Sequence, residues 1–151
     1  MNMQDKIQTP WRVLVVDDLP TWGDGVMSMA ELLKCEVRAV TNLQDAVREL
    51  SRWQPQLIIL DLHMPRDEWE PEPLLRLKYK PNQKTLAFCE QVTTHPLLQH
   101  VVVAMVSVEN QREQQALALE AGAHFFYTKG DFGVERFEFL LSQLAIKSPA
   151  A

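Results

Sequence analysis

The stretch "LIILDLHMP" (Leu57 to Pro65) places a carboxylate at the end of an apolar run. Four branched apolar residues lead directly into Asp61, and Pro65 closes the stretch. A short, continuously apolar run is typical of a strand that is buried on both faces of a parallel sheet. The stretch therefore predicts a central strand that delivers Asp61 to one edge of a sheet.

The rest of the chain alternates strand-like and helix-like patterns. Further strands are predicted at "RVLVV" (12–16), "CEVRAV" (35–40), "VVVAMV" (101–106) and "HFFYT" (124–128). Helical patterns separate and follow them, with predicted inward residues Val26, Met29, Leu32, Leu33, Leu43, Ala46, Val47, Leu50, Leu86, Phe88, Cys89, Val92, Val134, Phe137, Leu141 and Leu144. Five strand–helix units predict an α/β fold, a doubly wound parallel sheet of five strands in the flavodoxin-like order 2-1-3-4-5.

Composition excludes several classes of protein. The chain has 151 residues, 46% hydrophobic residues and a net charge of −5, as expected for one acidic globular domain. That charge argues against direct binding to nucleic acid or to an anionic membrane surface. The longest apolar run is too short for a membrane span, and the start lacks a signal-peptide pattern, so we expect a cytoplasmic protein. Cys35 and Cys89 form no CxxC pair and are expected to be free thiols.

One connection is too long for this fold. About forty residues separate the third and fourth strands, and the excess falls at about 66–83, "RDEWEPEPLLRLKYKPNQ". The first half of this insertion is acidic and the second half is basic. It is expected either to fold back over the domain's own helix or to form a partner surface, a dimer surface or a lid beside Asp61. The predicted division is a tail (1–10), one domain (11–146) and a second tail (147–151).

Polar side chains follow the predicted strands at the edge where ligands bind in such sheets. Asp17 and Asp18 follow the first strand, Asp61 the third, Ser107 the fourth and Lys129 the fifth. Three close carboxylates need protons or a cation, and Mg²⁺ suits oxygen ligands of this kind. The ammonium and the hydroxyl are suited to an anion instead. The set predicts phosphoryl transfer in which a carboxylate can be the nucleophile.

Four blocks resemble the response-regulator receiver domain of two-component signalling, a CheY-like family. They are "VLVVDDLP", "LIILDLHMP", "MVSVEN" and "AGAHFFYTKG", and the match covers about Arg12 to Ala145. By position, the resemblance implies that Asp61 accepts the phosphoryl group. It also implies that Asp17, Asp18, Asp61 and the backbone carbonyl of His63 hold Mg²⁺, the cofactor required in this family.

The resemblance implies further roles around the acidic site. Ser107 matches the switch hydroxyl, Lys129 the phosphate-contacting lysine and Phe126 the rotating aromatic residue. His63, Val108 and Glu109 fall at positions expected to tune access to Asp61. Local alternatives stay open, since the Asp17–Asp18 pair or Ser107 can cap a following helix, Lys129 can be solvated, and Phe126 can belong to the core.

The chain departs from the family pattern in three places. The usual lysine–proline pair is Lys129–Gly130, so the peptide bond is either trans or a costly non-proline cis bond. The residue after the switch hydroxyl is usually small, and the branched Val108 is expected to narrow access and obstruct the hydroxyl. The loop after Pro65 lacks a nearby glycine and has the insertion.

We therefore expect a single-domain response regulator that is a signalling protein and not an enzyme. The resemblance implies that a histidine kinase or a histidine phosphotransfer protein phosphorylates it. Its output would be phosphorylation-dependent contact with an unknown downstream protein, or onward transfer of the phosphoryl group; a homodimer is left open. The alternative is a phosphorylation-independent interaction module, a pseudo-receiver. An aspartyl phosphatase is disfavoured, because its usual second acid is replaced by His63.

Overall fold

Five strands form a single parallel sheet: β1 (Arg12–Val16), β2 (Glu36–Val40), β3 (Leu57–Asp61), β4 (Val102–Ser107) and β5 (Phe125–Thr128). The computed structural model describes residues 10–64, 67–109 and 111–147. The strand order is β2-β1-β3-β4-β5, which confirms the predicted order. Leu60 of β3 pairs with Val16 on one side and Met105 on the other, so β3 is the central strand.

The described residues contain six α-helices: α1 (Pro20–Leu32), α2 (Leu43–Arg52), α3 (Pro73–Lys78), α4 (Lys84–Thr94), α5 (Arg112–Glu120) and α6 (Val134–Lys147). Short 3-10 turns cover Pro81–Gln83, Pro96–Leu98 and Lys129–Asp131. The helix predicted after the insertion is α4, and α3 is an additional short helix within the insertion. No described helix is long and apolar enough to cross a membrane.

The strands are buried on both faces because each face is covered by helices. On one face, Leu14 and Ile58 belong to a core that includes residues of α2, α4 and α5. On the other face, Val15 and Ile59 belong to a core that includes residues of α1 and α6. All residues of β3 are buried, whereas the edge strands β2 and β5 are partly exposed. The continuously apolar runs therefore correspond to the three inner strands.

Some predicted inward residues are wrong. Leu32 is 70% exposed and Val47 is 39% exposed, although both were expected to face the core. Helix α1 instead packs through Gly23, Val26 and Ala30, a stripe of small residues three and four positions apart. Leu32 lies outside that stripe. In α6, Leu140 is fully buried although the predicted stripe omitted it.

The helix ends follow their local sequence. The Asn42 side chain accepts a hydrogen bond from the backbone N–H of Asp45 at 2.8 Å, so Asn42 is the N-cap of α2. Gly122 follows α5 with φ of +100°, a backbone conformation that glycine adopts readily. Both helix ends are thus formed by residue types that commonly occupy these positions.

Parts of the predicted domain division lie outside the described residues. This applies to 1–9, 65–66, 110 and 148–151, and hence to most of the predicted tails 1–10 and 147–151. The division into a domain at 11–146 with tails stays a prediction. Cys35 and Cys89 are free thiols, as expected.

Candidate functional site

The site lies at the carboxyl ends of β1 and β3, where the strand order reverses. Asp61 is the last residue of β3, and Asp17 and Asp18 follow β1 directly. Ser107 ends β4, and Lys129 follows β5. Since parallel strands end at the same edge, the fold collects these polar residues on one side of the sheet.

The three aspartates lie close together. One carboxylate oxygen from each of Asp17, Asp18 and Asp61 lies within 4.8 Å of the other two. Asp17 and Asp61 are only 3% and 4% exposed, whereas Asp18 faces solvent. Charges of one sign repel strongly at this separation, particularly away from water. The cluster therefore favours a bound cation or a protonated carboxyl group.

Asp17 also shapes the turn that begins α1. Its Oδ1 accepts a hydrogen bond from the backbone N–H of Leu19 at 2.8 Å. The N-cap residue of α1, Leu19, has no side-chain cap, and Pro20 opens the helix. The alternative that the Asp17–Asp18 pair caps α1 is therefore not what the structure shows. Asp17 instead forms a short turn with Leu19, just before the helix begins. One oxygen of Asp17 is used in the turn and the other points to the site.

Lys129 supplies the positive charge of the site. Its Nζ lies 2.6 Å from Asp17 Oδ2 and 3.6 Å from Asp61 Oδ2, and its side chain is 9% exposed. The Lys129–Gly130 peptide bond is trans, and the lysine begins a 3-10 turn. The alternative that Lys129 is a solvated surface residue is therefore wrong, since the side chain is buried against two carboxylates.

An aromatic side chain covers the lysine. The Trp22 ring centroid lies 5.2 Å from Lys129 Nζ, within the range of a cation–π contact. Trp22 also packs at 5.8 Å against Phe132, which follows the 3-10 turn. Trp22 lies in the first turn of α1, and only the fold brings it to Lys129, which is more than a hundred residues away in the sequence.

Burial dominates the acidity of Asp61. The net pKa of Asp61 is raised to about 7; removal from water is the largest cause, and the backbone N–H of His63, whose nitrogen lies 3.2 Å from Oδ1, acts in the opposite direction. Within that net value, the carboxylates of Asp17 and Asp18 raise the pKa of Asp61 and the Lys129 ammonium lowers it. Near neutral pH the metal-free site therefore contains both protonated and ionised Asp61.

The residues fit a hard divalent cation. Asp17 Oδ2 is buried and has no hydrogen-bond partner in the described part of the chain, although Lys129 Nζ is close. The 2.6 Å contact with the ammonium is a close ion pair, and a carboxylate oxygen, which has two lone pairs, can still bind a cation beside such a contact. Oxygen atoms from three carboxylates, one of them open to water, match the ligands that Mg²⁺ prefers.

Ser107 is buried and bonded to a residue that the sequence did not single out. Its hydroxyl donates to Gln114 Oε1 at 3.3 Å and accepts from the backbone N–H of Glu109 at 3.2 Å. The amide nitrogen of Gln114 lies 3.4 Å from His63 Nε2. Gln114, from α5, thus bridges the loops after β3 and β4. Its position seven residues after Ser107 gives no local signal of this contact.

The other residues predicted to act near Asp61 differ in how far they are buried. Phe126 is half-buried and packs against the core, in agreement with the core alternative, and its rotation stays a prediction. Val108 is 66% exposed and Glu109 is exposed, so both lie at the surface beside the site. Their effect on access, and the roles of the His63 carbonyl and the Ser107 hydroxyl, also stay predictions.

The insertion folds back onto α4, as one of the two alternatives predicted. The Trp69 ring packs edge-on against Phe88 at 5.4 Å, and Leu75 of α3 is buried. The Tyr79 hydroxyl donates to Glu90 at 2.8 Å. The insertion is thus part of the domain's packed structure.

The comparisons with known proteins give the class of fold. No family model and no curated protein matches the chain. Among solved structures, the chain is similar to a CheY-like response regulator receiver domain protein of Methanospirillum hungatei JF-1, with 18% identity, TM-score 0.72, and coverage of 93% of this chain and 98% of that one. It is also similar to the signal receiver domain of a signal transduction histidine kinase from Syntrophus aciditrophicus, with 24% identity, TM-score 0.71, and coverage of 93% and 94%.

A third match points to the same architecture. The signal receiver domain of a DNA-binding response regulator from Colwellia psychrerythraea 34H is 17% identical, with TM-score 0.71 and coverage of 90% of this chain and 98% of that one. The chain therefore has the receiver fold. The acidic cluster of Asp17, Asp18 and Asp61 lies at the carboxyl edge of this fold.

The contact between Trp22 and Lys129 provides an optical test of the metal site. We expect Mg²⁺ to change tryptophan emission, because a divalent cation beside Asp17 alters the field around the ammonium that faces the Trp22 ring. A fluorescence titration measures this. The change should persist in Trp53→Phe and disappear in Trp22→Phe. A response that survives Trp22→Phe would show that another tryptophan reports the binding.

Proposed function

We propose that the chain is a phospho-accepting receiver that takes a phosphoryl group on Asp61 and signals by protein contact. The observation that supports this most is the buried Asp61 carboxylate beside Asp17 and Lys129, at the edge of the receiver fold where ligands bind. A carboxylate kept from water, with a cation nearby, is suited to attack phosphorus and to hold the product.

The proposed reaction has one covalent step. A carboxylate oxygen of Asp61 attacks the phosphorus of a phosphohistidine on a histidine kinase or phosphotransfer protein. The phosphorus–nitrogen bond breaks with its electron pair going to the donor imidazole, which takes up a proton, and an aspartyl phosphate forms. Asp61 must be ionised to attack, so its pKa of about 7 places part of the metal-free population in an unreactive form at neutral pH.

The neighbouring residues have distinct roles in this proposal. When bound, Mg²⁺ would be held by Asp17, Asp18 and Asp61, would favour the ionised carboxylate and would neutralise charge on the phosphoryl group. Lys129, now 3.6 Å from Asp61 Oδ2, would pair with a phosphoryl oxygen. The Ser107 hydroxyl would have to exchange its bond to Gln114 for a bond to the phosphoryl group.

The output proposed is contact with a downstream protein. The aspartyl phosphate adds charge at a surface that includes the exposed Val108 and Glu109, and such charge can alter what this surface binds. In this proposal the chain is a signalling protein and not an enzyme that turns over an external substrate.

Phosphorylation by a small donor tests the proposal directly. The protein is incubated with acetyl phosphate and Mg²⁺, and its intact mass is measured. We expect a gain of one phosphoryl group that is abolished by Asp61→Asn and by chelation of the metal. The matched control is Asp24→Asn, since Asp24 is an exposed aspartate of α1 and its variant should be modified like the wild type.

The alternative interaction module predicts a different outcome. If no donor modifies the protein while Mg²⁺ binding is measurable, a phosphorylation-independent function on the same fold is favoured. The bond between Ser107 and Gln114 is the feature that favours this alternative, because it holds the hydroxyl with a partner other than a phosphoryl group.

A further inference from the structure

The buried Ser107 hydroxyl has one proton to donate, and that proton is directed at Gln114. The Ser107 side chain ends β4 and is fully buried. Its Oγ donates to Gln114 Oε1 at 3.3 Å and accepts from the backbone N–H of Glu109 at 3.2 Å. A serine hydroxyl has a single donor and two acceptor sites. In this state the hydroxyl can accept one more hydrogen bond, but it has no proton for another partner.

The Gln114 amide is held at its other end by His63. Gln114 is half-buried in the first turn of α5, and its amide nitrogen lies 3.4 Å from His63 Nε2. An amide N–H only donates, so this contact is a hydrogen bond when that imidazole nitrogen is unprotonated. The loops after β3 and β4 are themselves tied together, because the Leu62 N–H donates to the Val106 carbonyl at 2.8 Å. The Gln114 amide thus spans two loops whose backbones are fixed to each other.

A phosphoryl group on Asp61 would require the same proton of Ser107. Asp61 pairs with Val106 in the register of β3 and β4, so Ser107 is the next residue along the neighbouring strand. Phosphoryl oxygens are strong hydrogen-bond acceptors. Because Ser107 has only one donor, a phosphoryl oxygen and Gln114 Oε1 compete for it.

We infer that Gln114 is a positioning residue that opposes phosphorylation by holding the Ser107 hydroxyl. This inference rests on the proposed phosphorylation of Asp61 and adds a means of regulating it. The bond from Ser107 to Gln114 has to break before the hydroxyl can donate to the phosphoryl group. The exchange is possible because Gln114 is only half-buried, so its released amide oxygen can be hydrated. Gln114 therefore acts through Ser107 and favours the unphosphorylated state.

The size of this effect follows from the strength of one hydrogen bond. Without the Gln114 amide, the buried Ser107 proton loses this acceptor, which favours a state that supplies another acceptor. The net worth of one hydrogen bond between neutral groups corresponds to about a three- to tenfold change in an equilibrium constant. Loss of the amide should therefore strengthen the binding of a phosphoryl group, or of its mimic, by that factor.

Beryllofluoride binding to the whole chain tests the inference. Beryllofluoride attaches to a carboxylate oxygen in the tetrahedral shape of a phosphoryl group, and calorimetry measures its affinity in the presence of Mg²⁺. Gln114→Met keeps the length of the side chain but removes the amide, and it should bind beryllofluoride about three- to tenfold more tightly. The matched control is Gln115→Met, since Gln115 is the next residue of α5 and is exposed. This control should bind like the wild type.

Two further measurements separate positioning from a general disturbance of the site. In a Ser107→Ala background, Gln114→Met should have no effect, because no hydroxyl is left to hold. The affinity for Mg²⁺ alone should stay within about twofold of the wild type, since Gln114 and Ser107 are not among the proposed metal ligands. Thermal unfolding of each variant verifies that it is folded.

The outcomes distinguish this inference from the proposed function. If the wild type binds no beryllofluoride, or Asp61→Asn binds it equally well, the proposed function fails and the inference fails with it. If binding depends on Asp61 but Gln114→Met binds no more tightly, the inference alone is overturned. A gain that persists in Ser107→Ala, or an equal gain in Mg²⁺ affinity, would also overturn it, because Gln114 would then act through another group.

Discussion

Asp61→Asn is expected to stabilise the metal-free protein by about 1–3 kcal/mol at pH 8. The substitution replaces a buried carboxylate by a neutral side chain of the same shape and removes its repulsion with Asp17. The pKa of about 7 at Asp61 means that the folded protein disfavours the ionised form. The expected gain in the free energy of unfolding is only a few kcal/mol, because Asp18 is exposed and solvent at this side of the site screens the repulsion between the carboxylates.

The effect should depend on pH in a defined direction. The folded pKa of Asp61 is about 7, above its ordinary value of 3.8, so the folded state binds more protons than the unfolded state between these values. The stability of the wild type relative to Asp61→Asn therefore falls as pH rises from about 4 to about 7 and is level above that. Below about pH 4 both states hold the proton, and the advantage of the variant should vanish.

Denaturant unfolding in the presence of EDTA across this pH range measures the difference. Mg²⁺ should reduce or reverse it, because the proposed site would bind the cation in the folded wild type and bind it less well in the variant. Asp24→Asn, at an exposed aspartate, should change stability by less than about 0.5 kcal/mol at every pH. If Asp61→Asn lowered stability in EDTA at pH 8, the carboxylate would have to make a favourable contact that outweighs its burial.

The sheet could be predicted from the sequence, because each of its inner strands can be recognised from a few consecutive residues. Each inner strand is a continuous apolar run, and a parallel sheet buries such runs on both faces whichever helices cover them. The residues that end those runs, such as Asp61 and Ser107, then lie at one edge by geometry alone. The strand bounds and the acidic cluster therefore follow from the order of elements.

Contacts between elements that are distant in sequence could not be predicted from such local patterns. Gln114 reaches Ser107 and His63 only because α5 lies beside the ends of β3 and β4. Helical periodicity also gave Leu32 an inward position, because it identifies an apolar stripe but not which part of it meets the sheet. The burial of Trp69 depends on Phe88, nineteen positions further along the chain in α4.

The second large effect is expected at Lys129. Replacing it by methionine should cost about 3–5 kcal/mol in the absence of metal, because two buried carboxylates lose the cation between them. Methionine preserves most of the side-chain length and fills the space under Trp22. Mg²⁺ should restore part of the lost stability, since it supplies positive charge to the same oxygens. The cost should also shrink at low pH, where Asp61 is protonated.

A matched pair of variants isolates the role of burial in this prediction. Lys78 and Glu90 lie 2.6 Å apart, the same distance as Lys129 and Asp17, but the Lys78 side chain is 57% exposed and the Lys129 side chain only 9%. Lys78→Met should therefore cost only about 0–1 kcal/mol. A double-mutant cycle with Lys129→Met and Asp17→Asn should give a coupling above about 1 kcal/mol. If the two lysine substitutions lowered the free energy of unfolding equally, water would have to screen the Lys129–Asp17 pair as it screens the Lys78–Glu90 pair. The proposed strong electrostatic interactions around Asp61 would then be contradicted.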